Sequence, residues 1–458
     1  MSMHTPTLWA RLFSQTARSN WMWRQFVKYS RSHVMSVLES GIVRGQLLVE
    51  DHEGKHVYGE SDCQRPVTMT IRCDDVWARI VLSLDMGLSE AYMSGDFDIS
   101  SLKDMFDLWI ENRHTLTGLT TLLNTVTSYM SAFAIFALGK QKPSMALKNV
   151  QEAYDTSNEF FQCFLSSEMM YSCAIWSDAE GGIRGDLTSR GSQPDDLHNA
   201  QIRKIHHILQ NARVKPGYRL LEIGTGWGAM SIEAAKLGAI VDSVTLSVQQ
   251  KVMTEKRAVE AGVADRVRVH LLDYRQLPED FKGQFDSFVS CEMVEAVGLR
   301  DHHTYFKVID WALKPDRGAA CITATAMPEF RYTTLQPDDF ARHYHWPNTF
   351  LPNATYFPMA AQQAVPGRLI LHSVEDHAMH YPRTLREWGY RLEKNFQGEV
   401  VENLIKEHPQ LADPKSLEAF RRKWFYMFDY AAAGYAKAYT ALNCWTFARP
   451  EYPIDRCD

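Results

Sequence analysis

The stretch YRLLEIGTGWGAMSIEAAKLG (Tyr218–Gly238) decides the fold. It opens with a short apolar run of strand length, passes through a glycine-rich turn, and continues as helix-forming sequence that stops at Gly238. The unit recurs in AIVDSVTLSVQQKVMTEKRAVEAG (239–262). A third strand follows in VRVHLLDYRQL (267–277), a fourth in FDSFVSCEMVEAVG (285–298) and a fifth in GAACITATAMPE (318–329). Strands that alternate with helices need crossovers between parallel neighbours. The expected class is therefore α/β, a doubly wound, Rossmann-like parallel sheet. From Arg383 onward the text reads as a helical, aromatic cover ending in RKWFYMFDYAAAGYAKAYTALNCWTFARP.

Gly224, Gly226 and Gly228 form G-x-G-x-G between strand and helix. Glycines at such a turn let the backbone approach a ligand, and the helix start that follows favours a negative group. The third glycine comes one position too early for the dinucleotide pattern G-x-G-x-x-G. Glu222 precedes the turn, and Asp273 closes the third strand, where methyltransferases of this fold commonly place an acid against the adenine amino group. The second strand ends in VTLS without an acid, which leaves the ribose to Thr245 and Ser247. Together these features point to S-adenosyl-L-methionine rather than a nicotinamide.

The remainder of the chain sets bounds. With 458 residues, 45% of them hydrophobic and 23% charged, it has the composition of a soluble protein of more than one domain. A net charge of −6 argues against a nucleic-acid partner. The eight cysteines show no CxxC pairs or close Cys/His spacing, and the histidines of DHH (301–303) and RHYHWP (342–347) complete no ligand set. No metal and no disulfide framework are expected, and a reducing, cytoplasmic location is. Cys73, Cys163 and Cys444 read as small core residues.

Near the start, Arg11, Arg18, Arg24, Lys28 and Arg31 mix with Trp9, Phe13, Trp21, Trp23 and Phe26, and no acid occurs before Glu39. Such a segment suits either a membrane surface or a helix docked on its own protein. Short strands and turns then run through GQLLVEDHEGKHVYG and VTMTIRCDDVWARIVLS, giving a small α+β unit closed by helical sequence to Arg113. Residues 114–139 lack Asp, Glu, Lys and Arg, yet six threonines favour an amphipathic or lipid-contacting hairpin over a membrane span. The expected parts are an N-terminal lipid- or substrate-handling domain (1–115), a helical linker (116–150) and a methyltransferase domain (151–458).

Several phrases converge on one family. YDTSNEFFQCFLSSEMMYSCAIW (154–176), LLEIGTGWG (220–228), VTLSVQQ (244–250), SCEMVEAVG (290–298), HYPRTLREW (380–388) and KWFYMFDYAAAGY (423–435) resemble cyclopropane fatty acid synthases and mycolic acid cyclopropane synthases. The likeness covers about residues 151–450 and extends into LSEAYMSGDF (88–97), with SCEMVEAVG marking the EAVG subgroup. It implies transfer of a methyl group from S-adenosylmethionine to an alkene carbon of a lipid acyl chain. The resulting carbocation loses a proton to close a cyclopropane, so a base is needed within an apolar site. In that family bicarbonate is the base, held by a Cys backbone, a Glu, a His and a Tyr.

By that resemblance Cys173 matches the Cys, Glu295 the Glu and Tyr381 the Tyr, whereas the His falls on Thr323. The same motifs add Tyr171, Ser172, Gln250 and Tyr274 to the expected cofactor shell. Glu292 reads as structural. Tyr171, Trp176, Tyr426 and Phe428 suit either a cation-stabilising tunnel or core packing. Further departures are Ala153 for the His of HYD, Thr225 for the Cys of GCGWGG and Ala229 for its last Gly. They keep two alternatives open: a C-methyltransferase acting on an unsaturated lipid, polyketide or terpenoid without ring closure, and a catalytically degenerate lipid-binding protein. The expected partners are an unsaturated phospholipid acyl chain or other apolar alkene, a membrane surface touched peripherally, and a second copy in a homodimer.

Overall fold

A computed structural model describes residues 21–120 and 157–452. They fall into two units, one comprising residues 21–120, 335–347 and 401–437, the other 157–334, 348–400 and 438–452.

The first unit begins with α1 (Trp21–Gly41), β1 (Gln46–Asp51), β2 (Gly54–Gly59), β3 (Val67–Ile71), α2 (Asp75–Ser94), β4 (Phe97–Ile99) and α3 (Leu102–Glu111). Its strands run in the order β2-β1-β3-β4, with β1 antiparallel to β2 and parallel to β3. VWARIVLS, read with the strands, is instead the first half of α2. Val76, Trp77 and Ala78 are buried around the whole helix, so no period of two or 3.6 separates their faces. On α1, Trp23 donates its indole N–H to Asp75 across 3.0 Å and packs with Phe26 on Val27, Ala78 and Leu82. Arg31 pairs with Asp51 and Glu53. This part of the basic aromatic segment is docked on its own protein, while Trp21 stays exposed. Trp9, Arg11, Phe13 and Arg18, like most of the uncharged stretch 114–139 and Ala153, lie outside the described residues.

The second unit holds α4 (Asn158–Phe164), α5 (Asp196–Asn211), β5 (Arg219–Ile223), α6 (Ala229–Lys236), β6 (Ile240–Thr245), α7 (Val248–Glu260) and β7 (Val267–Leu271). It continues with β8 (Ser287–Cys291), α8 (His302–Ala312), β9 (Ala319–Ala326), α9 (Tyr356–Ala364), β10 (Ile370–Asp376), α10 (Tyr381–Asn395) and β11 (Ala441–Ala448). The seven-stranded sheet has the order β10-β11-β9-β8-β5-β6-β7. Its five expected strands pair in parallel, and β5, β6 and β8 are buried on both faces, as continuous apolar runs require. From β5 the chain winds outward through β6 to β7 and then returns to β8 on the other side of β5. The carboxyl ends of β5 and β8 therefore flank a switch point, where α/β sheets bind ligands.

Two antiparallel strands go beyond the sequence reading. TALNCWTFA, taken as helical cover, contributes β11, which lies between β9 and β10 and is antiparallel to both. The helix-forming AAAGYAKAY just before it hides the change of period. That run ends α11 (Pro414–Ala436), which belongs to the first unit. There Tyr426 packs on Phe106, Phe340 and Tyr92, and Phe428 is buried. Core packing is thus the role these two aromatics show. Among the described residues no helix is long and apolar enough to cross a membrane.

Candidate active site

At the end of β5 the backbone enters the left-handed region at Gly224 (φ +97°), Gly226 (φ +52°) and Gly228 (φ +90°). A Cβ on Gly228 would lie 2.5 Å from Thr254, and one on Gly224 would lie 3.0 Å from Met293. Packing alone therefore demands these two glycines. Gly226 differs, because nothing lies within 4 Å of the place its Cβ would take. The turn is open at this point, and its backbone can meet a ligand. Arg257 holds the turn from behind by donating to the Trp227 carbonyl across 2.6 Å.

Glu222 serves the turn from inside the core. Its Oε2 accepts from the Ser243 hydroxyl at 2.6 Å and from Ser231. Burial pushes its carboxyl up to about 7, against the pull of those two hydroxyls. Thr245 donates to Gln250 Oε1 at 2.8 Å, and Ser247 caps α7 by accepting from the Gln250 N–H. Beyond β7, Asp273 accepts from the Arg275 backbone and guanidinium. Burial raises this carboxyl, but the Arg275 hydrogen bonds outweigh it and hold it below the usual range. Tyr274 meets the Tyr305 ring edge-on, and Tyr171 packs among Phe161, Phe164 and Trp388. Sheet order thus sets the glycine turn, the Thr245–Ser247–Gln250 group and Asp273 side by side at the ends of β5, β6 and β7. An open glycine turn, neutral hydroxyls and a terminal acid fit S-adenosylmethionine.

The second half of the site gathers at the end of β8, on an acid the sequence left as structural. Glu292 has φ +48°, a conformation that costs a non-glycine residue about 1–2 kcal/mol. Its Oε1 accepts the Cys173 backbone N–H at 2.8 Å, and its Oε2 accepts the Tyr381 hydroxyl at 2.7 Å. Its own N–H donates to the Thr323 carbonyl at 2.9 Å. Cys173, Tyr381 and Thr323 do come together, but around Glu292 rather than Glu295. Burial raises the Glu292 carboxyl above the carboxylate range, opposed by the Lys204 charge, Tyr381 and the Cys173 N–H. Lys204, buried on α5, donates to the Ser172 hydroxyl.

Glu295 sits on the next turn, where its Oε1 accepts the Thr325 N–H at 2.6 Å and its buried Oε2 has no hydrogen-bond partner. Burial, reinforced by the neighbouring Glu292, pushes it up to about 8. A protonated carboxyl therefore stands behind an ionisable one near neutral pH. Burial also lifts the Cys173 thiol far above its ordinary range, so its backbone rather than its sulfur serves the site. Lys204 was missed in the sequence, although Ala200 and Ile208, four residues to either side, mark its helix face as buried.

The family described as mycolic acid cyclopropane synthetase matches residues 141–429, which include the glycine turn, Glu292, Glu295 and Tyr381. The chain belongs to this family. It is accordingly an S-adenosylmethionine-dependent methyltransferase. Among its relatives, tuberculostearic acid methyltransferase UfaA1 of Mycobacterium tuberculosis is 31% identical over 398 residues, covering 86% of each chain. The cyclopropane-fatty-acyl-phospholipid synthase of Escherichia coli is 29% identical, over 81% of this chain and 85% of its own. The solved cyclopropane synthase MmaA2 of Mycobacterium tuberculosis shares the fold, with a TM-score of 0.53 and 24% identity over 66% of this chain and 98% of its own. Coclaurine N-methyltransferase reaches a TM-score of 0.59 at 17% identity, covering 79% of this chain and 99% of its own. In this family member the strand-end acids lie where a doubly wound sheet binds its ligands.

Proposed function

We propose that the chain adds a methyl or methylene group to the double bond of an unsaturated fatty-acyl lipid, with cyclopropane as the leading product. The observation that carries this reading is the half-buried Glu292 carboxyl gripped by Cys173 and Tyr381. When bound at the glycine turn, S-adenosylmethionine supplies an electrophilic methyl group; Asp273, Thr245, Ser247, Gln250, Tyr171 and Ser172 are the residues expected to hold it. Methylation of an alkene carbon leaves a cation on its neighbour. Loss of a proton from the new methyl, with bonding of that carbon to the cation, closes the ring. Loss from a chain carbon leaves an alkene instead.

Either outcome needs a base in a site that excludes water, and Glu292 is placed to take the proton. The Lys204 charge opposes the burial that raises its carboxyl, and Tyr381 and the Cys173 amide fix its direction. The bicarbonate implied by the family resemblance would need these same two donors, which Glu292 already engages. Thr323 cannot supply the charge of an imidazolium to such an anion. A second reading, methylation without ring closure, is favoured by the UfaA1 relative, a tuberculostearic acid methyltransferase.

The test is incubation of purified protein with methyl-labelled S-adenosylmethionine and unsaturated phospholipid, followed by mass spectrometry of the acyl chains. Gain of one CH2 without a remaining double bond is the expected result. Retention of the double bond would move the assignment to the second reading, and unlabelled acyl chains would overturn both. E292Q should lower the rate about a hundredfold to ten-thousandfold. Rates that need added bicarbonate would return the base to a bound anion. Peripheral membrane contact belongs to the same proposal and is read by flotation with liposomes.

A further inference from the structure

Across the sheet of the second unit, Glu375, Cys444, Thr323 and Cys291 stand in register on β10, β11, β9 and β8. In-register neighbours share a face, so these four side chains form one row. Helix α5 lies along it. Lys204 reaches Cys291 at one end, and His207, one turn later, reaches Glu375 at the other. His377, on the turn after β10, meets the His207 ring edge-on at 5.2 Å. The ligand atoms of His207, His377 and Cys444 all lie within 4.8 Å of one another. They line the same cavity as Glu292, Thr323 and Lys204.

We propose that His207, His377 and Cys444 form a transition-metal site, zinc being the ion their chemistry fits, with Glu375 as the fourth ligand. Two imidazoles, a thiolate and a carboxylate are a borderline-soft donor set suited to tetrahedral zinc. Bonds of that geometry set neighbouring ligand atoms roughly 3.3–3.8 Å apart, so the side chains close by about 1 Å around the ion. Glu375 Oε2 stands 2.8 Å from His207 Nε2 and 3.4 Å from His377 Nε2. The latter nitrogen is buried and makes no hydrogen bond. Asn211 donates to Glu375 Oε1 and steadies the carboxylate from outside. Binding releases the Cys444 thiol proton. The ion ties α5 to β10 and β11 directly behind Lys204, and so holds the cation that faces Glu292.

No local pattern points to this, because the ligands lie 170 and 67 positions apart and meet only in the fold. Cys321 is a neighbour whose Sγ lies 3.4 Å from that of Cys444, so the thiols are kept reduced for the titration.

The test is titration of the chelator-treated, reduced full-length protein with Co2+, with zinc content of the purified protein read by elemental analysis. The expected result is one ion per chain, with tetrahedral d–d bands and a thiolate charge-transfer band. H207Q and H377Q should weaken binding at least tenfold, and C444S should remove the charge-transfer band. Because Cys444 is buried in the sheet, H207Q on the partly exposed face of α5 tests the site without disturbing the core. Absence of a thiolate band in the parent, or Co2+ affinity unchanged in both histidine variants, would overturn the proposal.

Discussion

Tyr381 donates its hydroxyl to Glu292 across 2.7 Å, joining the first residue of α10 to the carboxyl end of β8. The bond opposes the burial that raises the Glu292 carboxyl. Y381F should lower the methyl-transfer rate about tenfold to a hundredfold, the worth of a hydrogen bond to a charged group. The pH of half-maximal rate should move upward as well, since the variant leaves the ionised form less supported. A pH–rate profile on unsaturated phospholipid reads both effects, and an unchanged profile would separate Tyr381 from the base.

Glu295 predicts a stability that falls as the solution becomes more alkaline. Its folded carboxyl titrates near 8, above the ordinary value of 4.5, so the folded chain holds a proton that the unfolded chain has lost. Stability from this group is complete below pH 4.5 and lost as pH rises to 8. The slope is at most about 1.4 kcal/mol per pH unit per carboxyl. Urea midpoints of the parent should decline from pH 5 to 8, and E295Q should decline less. Glu222, raised to about 7, acts in the same direction, so E222Q should flatten the curve over a narrower span.

The glycine turn separates packing from binding. G228A sets a methyl 2.5 Å from Thr254 at φ +90°, and should cost about 1–3 kcal/mol of stability by urea unfolding. G226A meets no atom within 4 Å and should cost about 1–2 kcal/mol for its left-handed backbone. Its larger effect should fall on S-adenosylmethionine affinity, weakened about tenfold in calorimetry, as loss of one backbone contact implies.

Arg383 is fully buried, stacks 4.0 Å over the Trp176 ring and pairs with Asp196 at 2.9 Å. R383M leaves buried carboxylates and carbonyls short of a donor and should cost about 3–5 kcal/mol. The control is R317M, whose exposed side chain shares Asp286 with Lys314 and should leave the midpoint nearly unchanged. Denaturant midpoints of the two variants, compared at one pH, check the contrast.

The doubly wound core, the glycine turn and the strand-end acids were legible because each is written locally: a strand-length apolar run, a punctuating glycine, an acid where the run stops. What escaped was set by distance. Glu292 and Glu295 are three residues apart, and only the left-handed turn at Glu292 decides which of them meets Cys173 and Tyr381. The apolar half of α2 carried no usable period because all its faces are covered. TALNCWTFA was overshadowed by helical text beside it, and the histidines that face Cys444 lie on other elements.

The place of β11 bears on how the protein is made. This strand fills the gap between β9 and β10, and its eight residues pair with β9 along their whole length. During translation every other strand of the sheet leaves the ribosome first, so the nascent chain waits with two open ladder edges until Ala441–Ala448 emerges. Ribosome-stalled chains ending before Ala441 should be cut rapidly by protease within the second unit, and chains extended past Ala448 should resist.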